Sequence, residues 1–233
     1  MHSSDPHDST GQQYRTRGEN TDQQQAAQNR SKSADEIADA YAEVADKLAR
    51  WRQLDRLFAG RYRRRQFEHA DGRVLDVACG TGRNFRYLPS SSDVVGIDIS
   101  DEMLVYARSE LDRLELDGTV HRMDAQALDF PDDSFDTVIS SFSTCTFPDP
   151  IAALREMERV CTPEGQILLL EHSRSHAAPL AWLQDWRADA HYEKNGCRLN
   201  HEPLEAVGQA ALPVEKASTA FFGLVTAIDA TPR

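Results

Sequence analysis

Val74-Leu75-Asp76-Val77-Ala78-Cys79-Gly80-Thr81-Gly82 is the stretch that decides how this chain folds. An apolar run that ends in two closely spaced glycines reads as a strand followed by a sharp turn into a helix, where backbone can come close to a ligand. A dinucleotide fingerprint would require a third glycine at position 85, and Phe85 stands there instead. Asp76 sets a carboxylate beside the loop, which would repel a pyrophosphate and attract a cation. The loop therefore suits a ligand with cationic groups, and Asp76, Ala78, Gly80 and Gly82 are its first candidate contacts.

Working outward, short apolar runs alternate with amphipathic stretches, the pattern of βαβ units. Strands are expected at Arg73 to Ala78, Asp93 to Asp98, Thr119 to Met123, Phe135 to Ser140 and Gln166 to Glu171. Ser100 would cap a helix from Asp101 to Leu116, and Asp149-Pro150 would cap and start one from Ile151 to Val160. Gly165 is expected to turn the chain into the fifth strand. Helices from Leu180 to Tyr192 and Pro203 to Ala211 follow, then an antiparallel pair, Val214 to Thr219 and Leu224 to Ala230. The fold class is α/β, with a doubly wound, mostly parallel sheet.

Residues 1–33 are polar and almost free of large apolar side chains, so they cannot bury enough surface to offset ordering entropy, and a disordered tail is expected. Residues 34–233 form the domain, with a helical cap over 34–70. In that cap Ile37, Ala38, Tyr41, Val44, Ala45 and Leu48 recur at helical spacing, continued by Trp51, Leu54, Leu57 and Phe58.

The chain carries 23 Asp and 15 Glu against 22 Arg and only 4 Lys, a formal net charge of -12. That balance opposes a polyanionic partner such as nucleic acid, whose affinity rests on Lys and Arg neutralising phosphates. It would suit a high-salt cytoplasm, where ions relieve self-repulsion. The run Arg61 to Arg65 reads as a solvated helix face. The four cysteines, Cys79, Cys145, Cys161 and Cys197, are widely spaced and form no CxxC pair. A reducing, cytoplasmic setting is expected, without a disulfide framework or a metal cluster. No stretch reaches the length of a transmembrane segment, and no apolar signal region opens the chain. Nothing in the pattern specifies an oligomeric state.

Three further positions carry chemistry. Asp98 ends the second strand, where an acid can accept hydrogen bonds from both hydroxyls of a ribose, and Ile99 lies beside it. Met103, in the first turn of the next helix, would pack on an adenine or in the core. Asp124-Ala125-Gln126 ends the third strand, where an acceptor can take an adenine amino group, and Phe130-Pro131-Asp132 then turns toward the fourth strand.

These motifs, with Glu156 to Gly165 after them, resemble the class I S-adenosylmethionine-dependent methyltransferases in order and spacing, from about Ala34 to Arg233. The resemblance implies a seven-stranded Rossmann-like sheet with an antiparallel last strand, and S-adenosyl-L-methionine (SAM) as cofactor. It assigns Asp76 and the Gly80-Gly82 loop to the methionyl part, Asp98 to the ribose, and Asp124 with Ala125 to the adenine. Ser140 to Phe142 would line the methyl group. The helix ending in Tyr41 is similar to one in the quinone-methylating branch, although Ala34 and Ala42 replace that branch's aromatic and second acid. Tyr41 would cover the cofactor or fill a half-buried core position.

Glu171 to Ser175, the Trp182 and Trp186 helix, and Asn195-Gly196-Cys197-Arg198-Leu199-Asn200 resemble a branch that includes thiol and lipid-amine methyltransferases. That implies a small-molecule or amphiphilic methyl acceptor. His172 could take a proton from it, as the side chain titrating nearest neutrality. Cys197 and Asn200 are candidate pocket residues. The rivals are an NAD(P)-dependent oxidoreductase of the same architecture, a nucleic-acid methyltransferase and a non-catalytic SAM-binding regulator. Ser140-Ser141-Phe142-Ser143 lacks the Asn/Asp-Pro-Pro-aromatic pattern that the nucleic-acid enzymes use to hold a base.

Overall fold

Strands buried on both faces read as near-continuous apolar runs, and the five runs above become the parallel centre of a seven-stranded sheet in the computed structural model, which describes residues 32–50 and 56–233. The compact unit runs from Ser33 to Arg233. Helices α1 (Ala34–Ala42), α2 (Ala45–Arg50) and α3 (Gly60–Phe67) precede β1 (Arg73–Val77). Then come β2 (Asp93–Asp98), α4 (Asp101–Leu114), β3 (Gly118–Arg122), β4 (Phe135–Ser141) and α5 (Pro150–Val160). The chain closes with β5 (Cys161–His172), α6 (Ala178–Asn195), α7 (Pro203–Ala210), β6 (Val214–Ala220) and β7 (Val225–Ala230). The sheet order is β3-β2-β1-β4-β5-β7-β6. β7 runs antiparallel to both of its neighbours, as the resemblance implied.

Alternation along the strands divides the core. Leu75, Val77, Val138, Ile167 and Leu169 face α5 and α7, packing on Leu154, Met157 and Val207. Val74, Val94, Ile139 and Leu168 face the other way, toward Phe67, Phe85, Leu104 and Ala107. The order reverses between β1 and β4, so the chain opens a crevice at the C-terminal ends of these strands, where ligands of such sheets sit. Both expected caps form. Ser100 accepts from the Met103 N–H, and Asp149 accepts from Ile151 and Ala152. At the start of α1, Ser33 and Glu36 form a reciprocal capping box.

The structure corrects several local expectations. The glycine loop leads into turns and a single 3-10 turn, Phe85–Tyr87, because Phe85 folds inward to fill the core above Gly82 instead of projecting from a helix. Gly165 lies inside β5. A Cβ there would stand 2.7 Å from both the Asp136 carbonyl and Cys161 Sγ, so closeness and not a turn requires the glycine. α4 stops at Leu114, with Glu115 in a left-handed cap. Leu57 and Phe58, expected on an apolar helix face, are 76% and 71% exposed. Trp51, Leu54 and the polar tail up to residue 31 lie outside the described residues. Among those described, no helix is long and apolar enough to cross a membrane.

Candidate functional site

A cleft of about 250 Å³ opens over the ends of β1, β2 and β4 and is roofed by α1 and α2 through Ala34, Ile37, Tyr41 and Leu48. Arg83 fastens the roof by donating from Nη2 to the Leu48 carbonyl at 2.6 Å. Two residues just past neighbouring strands, Ala78 (φ +55°) and Phe142 (φ +54°), adopt left-handed backbone without being glycine. Such strain persists where surrounding structure holds it and gathers at ligand sites. Both residues line the cleft.

At one end a buried anion and a buried cation share one amide. Asp76, fully buried, accepts from Asn84 Nδ2 at 2.9 and 3.1 Å. Arg63, 3% exposed, donates to Asn84 Oδ1 and to Ser141 Oγ, and Ser141 Oγ donates to Asn84 Oδ1 at 2.9 Å. Burial pushes the Asp76 carboxyl up to about 7, against the Asn84 hydrogen bond and the Arg63 charge. The reading of Arg61 to Arg65 as a solvated face is therefore corrected: Arg61, Arg64 and Arg65 are exposed, but Arg63 turns inward, its guanidinium 5.0 Å from the Phe142 ring centroid.

In the middle, Asp98 receives the Gly80 N–H at 2.8 Å on Oδ2 and the Ser100 N–H at 3.0 Å on Oδ1, leaving lone pairs on both oxygens. Burial raises its pKa, and these backbone donors oppose the rise. Gly80 has φ +57°, and a Cβ there would meet nothing within 4 Å. The buried Thr81 hydroxyl, also on the cleft wall, has no partner among the described residues. At the far end Ile99, Met103, Met123, Asp124 and Ala125 form a mostly apolar slot with one carboxylate at its edge.

Most of the expected cofactor residues meet here: Ala78, Gly80, Asp98, Ile99, Met103, Asp124 and Ala125 line the cleft, as do Tyr41 and Phe142. Others stand behind them. Asp76 lies beneath the loop. Gly82 (φ +74°) is a packing position, since a Cβ there would come 2.7 Å from the Phe85 ring. Gln126 holds Asp124 through its backbone N–H at 2.9 Å and accepts from Asp149 N. Ser140 donates to the Val77 carbonyl below the surface, and its neighbour Ser141 reaches the cleft instead. Asn200 bonds Asp185 at 3.3 Å on the exterior. Asn84 and the inward turn of Arg63 escaped the sequence reading. The basic run Arg61 to Arg65, interrupted by Tyr62, named Arg63 but placed it on a solvated face.

Behind Tyr41 lies a second polar group. Burial raises the Tyr41 phenol, and Cys145, Cys197, Asp98 and Glu171 act in the same direction. His172 Nε2 is 3.1 Å from Cys197 Sγ, which is 3.4 Å from Cys145 Sγ. Glu171, fully buried, accepts from the backbone of Ser143 at 3.0 Å and Thr144 at 3.4 Å, and burial pushes it up to about 7. Burial lowers the His172 pKa, but Cys197 and Glu171 outweigh this and leave it raised. Cys197 is lowered by its hydrogen bonds to Cys145 and His172 despite burial. His201, whose Nε2 lies 2.9 Å from Thr144 Oγ1, is pushed down to about 4 by burial and by the His172 and Arg198 charges. The expectation of no metal-type cluster meets a different geometry, because the loop after β4 and the loop after α6 bring together cysteines 52 residues apart.

A doubly wound sheet with an antiparallel last strand and a cleft at its switch point defines a Rossmann-like scaffold. Residues 75–169 match the family model described as "Methyltransferase domain". The chain is 38% identical over 127 residues to a phosphatidylethanolamine N-methyltransferase of Cereibacter sphaeroides, covering 52% of this chain and 63% of that protein. It is 41% identical over 120 residues to a ubiquinone/menaquinone biosynthesis C-methyltransferase of Pasteurella multocida, covering 49% of this chain and 45% of the relative. It thus spans about half the length of the curated relatives it matches. A SAM-dependent methyltransferase of Aquifex aeolicus superposes with a TM-score of 0.62 at 18% identity, over 81% of this chain and 98% of that one, a likeness of fold. The likeness to methyltransferases is concentrated in residues 75–169, which run from β1 into β5 and include the glycine loop.

Proposed function

We propose that this protein is a SAM-dependent methyltransferase acting on a small or amphiphilic acceptor. The observation that carries the proposal is the Asp76-Asn84-Arg63 unit, one buried anion and one buried cation joined by a single amide at the end of a nucleoside-sized cleft. That donor set matches an amino-acid zwitterion: Arg63 for its carboxylate, Asp76 for its ammonium. Asp98 would accept from ribose hydroxyls, and the Met103-Met123 slot would hold the adenine beside Asp124. Thr81 would give its unpartnered hydroxyl to the ligand. When bound, SAM supplies an electrophilic methyl group on a sulfonium.

The protein's own part is placement. Tyr41 and α1 close the cleft and exclude water, and Phe142 with Ser143 forms the wall on the acceptor side. Bringing two bound reactants to near-attack geometry supplies roughly 7–11 kcal/mol. An acceptor nucleophile that is already neutral or deprotonated needs no base. Where a proton is released, His172, paired with Cys197 behind Tyr41, is the group assigned to take it up.

An amphiphilic acceptor is supported by the likeness to a lipid-amine enzyme and by the exposed Trp182 and Trp186, stacked 3° from parallel on α6. Phe221 and Phe222 are also exposed, and the Phe222 carbonyl accepts from the His176 N–H in the segment leading into α6. The charge of -12 speaks against a nucleic-acid substrate, and four cysteines without a disulfide suit the cytoplasm. A dinucleotide oxidoreductase is disfavoured because the glycine loop presents no helix N-terminus to a pyrophosphate. Labelled-methyl transfer from SAM to thiols, quinols and phospholipid amines tests the proposal. Label in one acceptor class, with an equal amount of S-adenosylhomocysteine, is expected. Tight SAM binding without transfer to any acceptor, cell extract included, would favour a non-catalytic regulator.

A further inference from the structure

Among the described residues, one set of side chains has the donor types and spacing of a metal site, and no cofactor contact uses it. Cys145, His172 and Cys197 offer two sulfurs and an imidazole nitrogen, all within 4.8 Å of one another. Each comes from a different part of the sheet's C-terminal edge: the loop after β4, the last residue of β5 and the loop after α6. The backbone ties these parts together, since Arg198 N–H donates to the Cys145 carbonyl at 3.2 Å and Arg174 N–H to the His201 carbonyl at 2.9 Å. Cys145 is buried and the other two are half-buried, so the group is neither a chance surface cluster nor sealed from solvent.

The spacing decides between ligand set and disulfide. A tetrahedral cation with bonds of about 2.3 Å to sulfur and about 2.0–2.1 Å to nitrogen needs roughly 3.8 Å between its thiolates and roughly 3.6 Å between thiolate and imidazole. The sulfurs stand 3.4 Å apart and the imidazole 3.1 Å from Cys197. Opening these two edges by a few tenths of an ångström, with Cys145 Sγ and the His172 nitrogen, within 4.8 Å of one another, settling to the same spacing, is within the reach of χ1 adjustments and admits the ion. A disulfide would have to shorten the sulfur separation to about 2.05 Å.

We propose that Cys145, His172 and Cys197 bind one thiophilic divalent cation, zinc by their ligand chemistry, with the fourth position held by water or by the acceptor. Three protein ligands with an open fourth position are the arrangement of zinc sites that do chemistry, whereas structural sites are closed by four. Binding displaces the thiol protons to solvent and leaves both sulfurs as thiolates. The ion would lie behind Tyr41, on the acceptor side of the cleft. There its open position would bind an acceptor carrying a soft or anionic nucleophile, a thiol before an amine. A cation held on His172 Nε2 would also exclude that nitrogen as a proton acceptor, so the two roles of His172 are alternatives. The metal site stands on this geometry alone, whereas the acceptor's place at its fourth position rests on the methyl-transfer reading.

Cobalt(II) titration of the full chain, oxygen-free with a non-thiol reductant, tests it. We expect one equivalent to bind with thiolate-to-cobalt charge-transfer absorption and the visible bands of a tetrahedral ion, both abolished by one equivalent of zinc. Cys145→Ser, Cys197→Ser and His172→Ala should each weaken binding at least tenfold, while Cys161→Ser leaves it unchanged. SAM titration of the same samples reports folding and the cofactor site separately. Absence of the cobalt spectrum in wild-type protein that binds SAM would overturn the metal site and leave the cofactor reading standing. Spectra unaltered in both cysteine variants would overturn it equally. Should a variant fail to fold, the wild-type spectrum and its displacement by zinc still decide.

Discussion

Alanine at Gly80 and at Gly82 should separate the part of the loop that meets the ligand from the part that builds the core. Both residues have left-handed backbone, φ +57° and +74°, so alanine at either adds about 1–3 kcal/mol of strain. The two diverge at the new Cβ. At Gly80 it meets nothing within 4 Å and projects into open space beside the cleft. At Gly82 it would stand 2.7 Å from two atoms of the fully buried Phe85 ring and 3.3 Å from Ala107 Cα on α4. Overpacking of that kind costs about a further 1–3 kcal/mol. Urea unfolding without ligand should therefore show a loss of about 1–3 kcal/mol for Gly80→Ala and about 2–6 kcal/mol for Gly82→Ala. Calorimetric titration with SAM should rank them the other way. Gly80→Ala should lose at least about tenfold in affinity because the methyl group occupies ligand space, whereas folded Gly82→Ala stays within a few-fold of wild type. A Gly80→Ala protein that binds SAM normally, or is destabilised as much as Gly82→Ala, would refute the division.

Further expectations follow from the charges. Asp76 sits at about 7 when unliganded, and a cationic ligand favours its ionised form, so SAM affinity should fall about tenfold between pH 8 and pH 6, as read by calorimetry. The same raised pKa means the unliganded fold loses stability as pH rises from the ordinary carboxylate range toward 7, and a flat binding profile would contradict both statements. Asp98→Asn replaces one acceptor oxygen by a donor facing a backbone N–H, which should cost about 1–3 kcal/mol of stability and most of the SAM affinity, checked by urea unfolding and titration. Arg159 donates to the Leu128 and Phe130 carbonyls, to Asp132 and to Glu156, so Arg159→Ala should lower stability by about 2–4 kcal/mol while changing SAM binding far less. Raising KCl from low to multimolar concentration should raise Tm by relieving self-repulsion, and an unchanged Tm would rule out adaptation to salt.

The sheet was legible because β1, β2, β4 and the second half of β5 are buried and so stand out as apolar runs; β2 matches its expected bounds, β1 and β4 differ by one residue at one end, β3 is shifted by one at both ends, and β5 begins earlier than expected, at Cys161. Asp98 and Asp124 could be read because strand ends mark the ligand edge of such a sheet. What the pattern hid depends on pairings between distant segments. Arg63 looks like its exposed neighbours until Asn84 and Ser141, 21 and 78 residues away, are seen to receive it. Of the expected stretch Ser140 to Phe142, Ser140 turns inward while Ser141 and Phe142 reach the cleft, since the face a residue takes at a strand end depends on where the pleat stops. Two glycines of one motif proved to have different duties, because only the folded position of Phe85 shows which of them is crowded. Cys145 and Cys197 carry no local spacing signal at all, and their meeting follows from the sheet order.

Competitive calorimetry tests most directly whether the cleft is built for an amino-acid nucleoside with a cationic centre. SAM and S-adenosylhomocysteine should bind one per chain. Methylthioadenosine, which lacks the amino-acid part that Asp76 and Arg63 are proposed to hold, should bind at least about a hundredfold more weakly, and NAD(H) should give no competing heat. Equal affinity for methylthioadenosine, or displacement of SAM by NAD(H), would contradict the account.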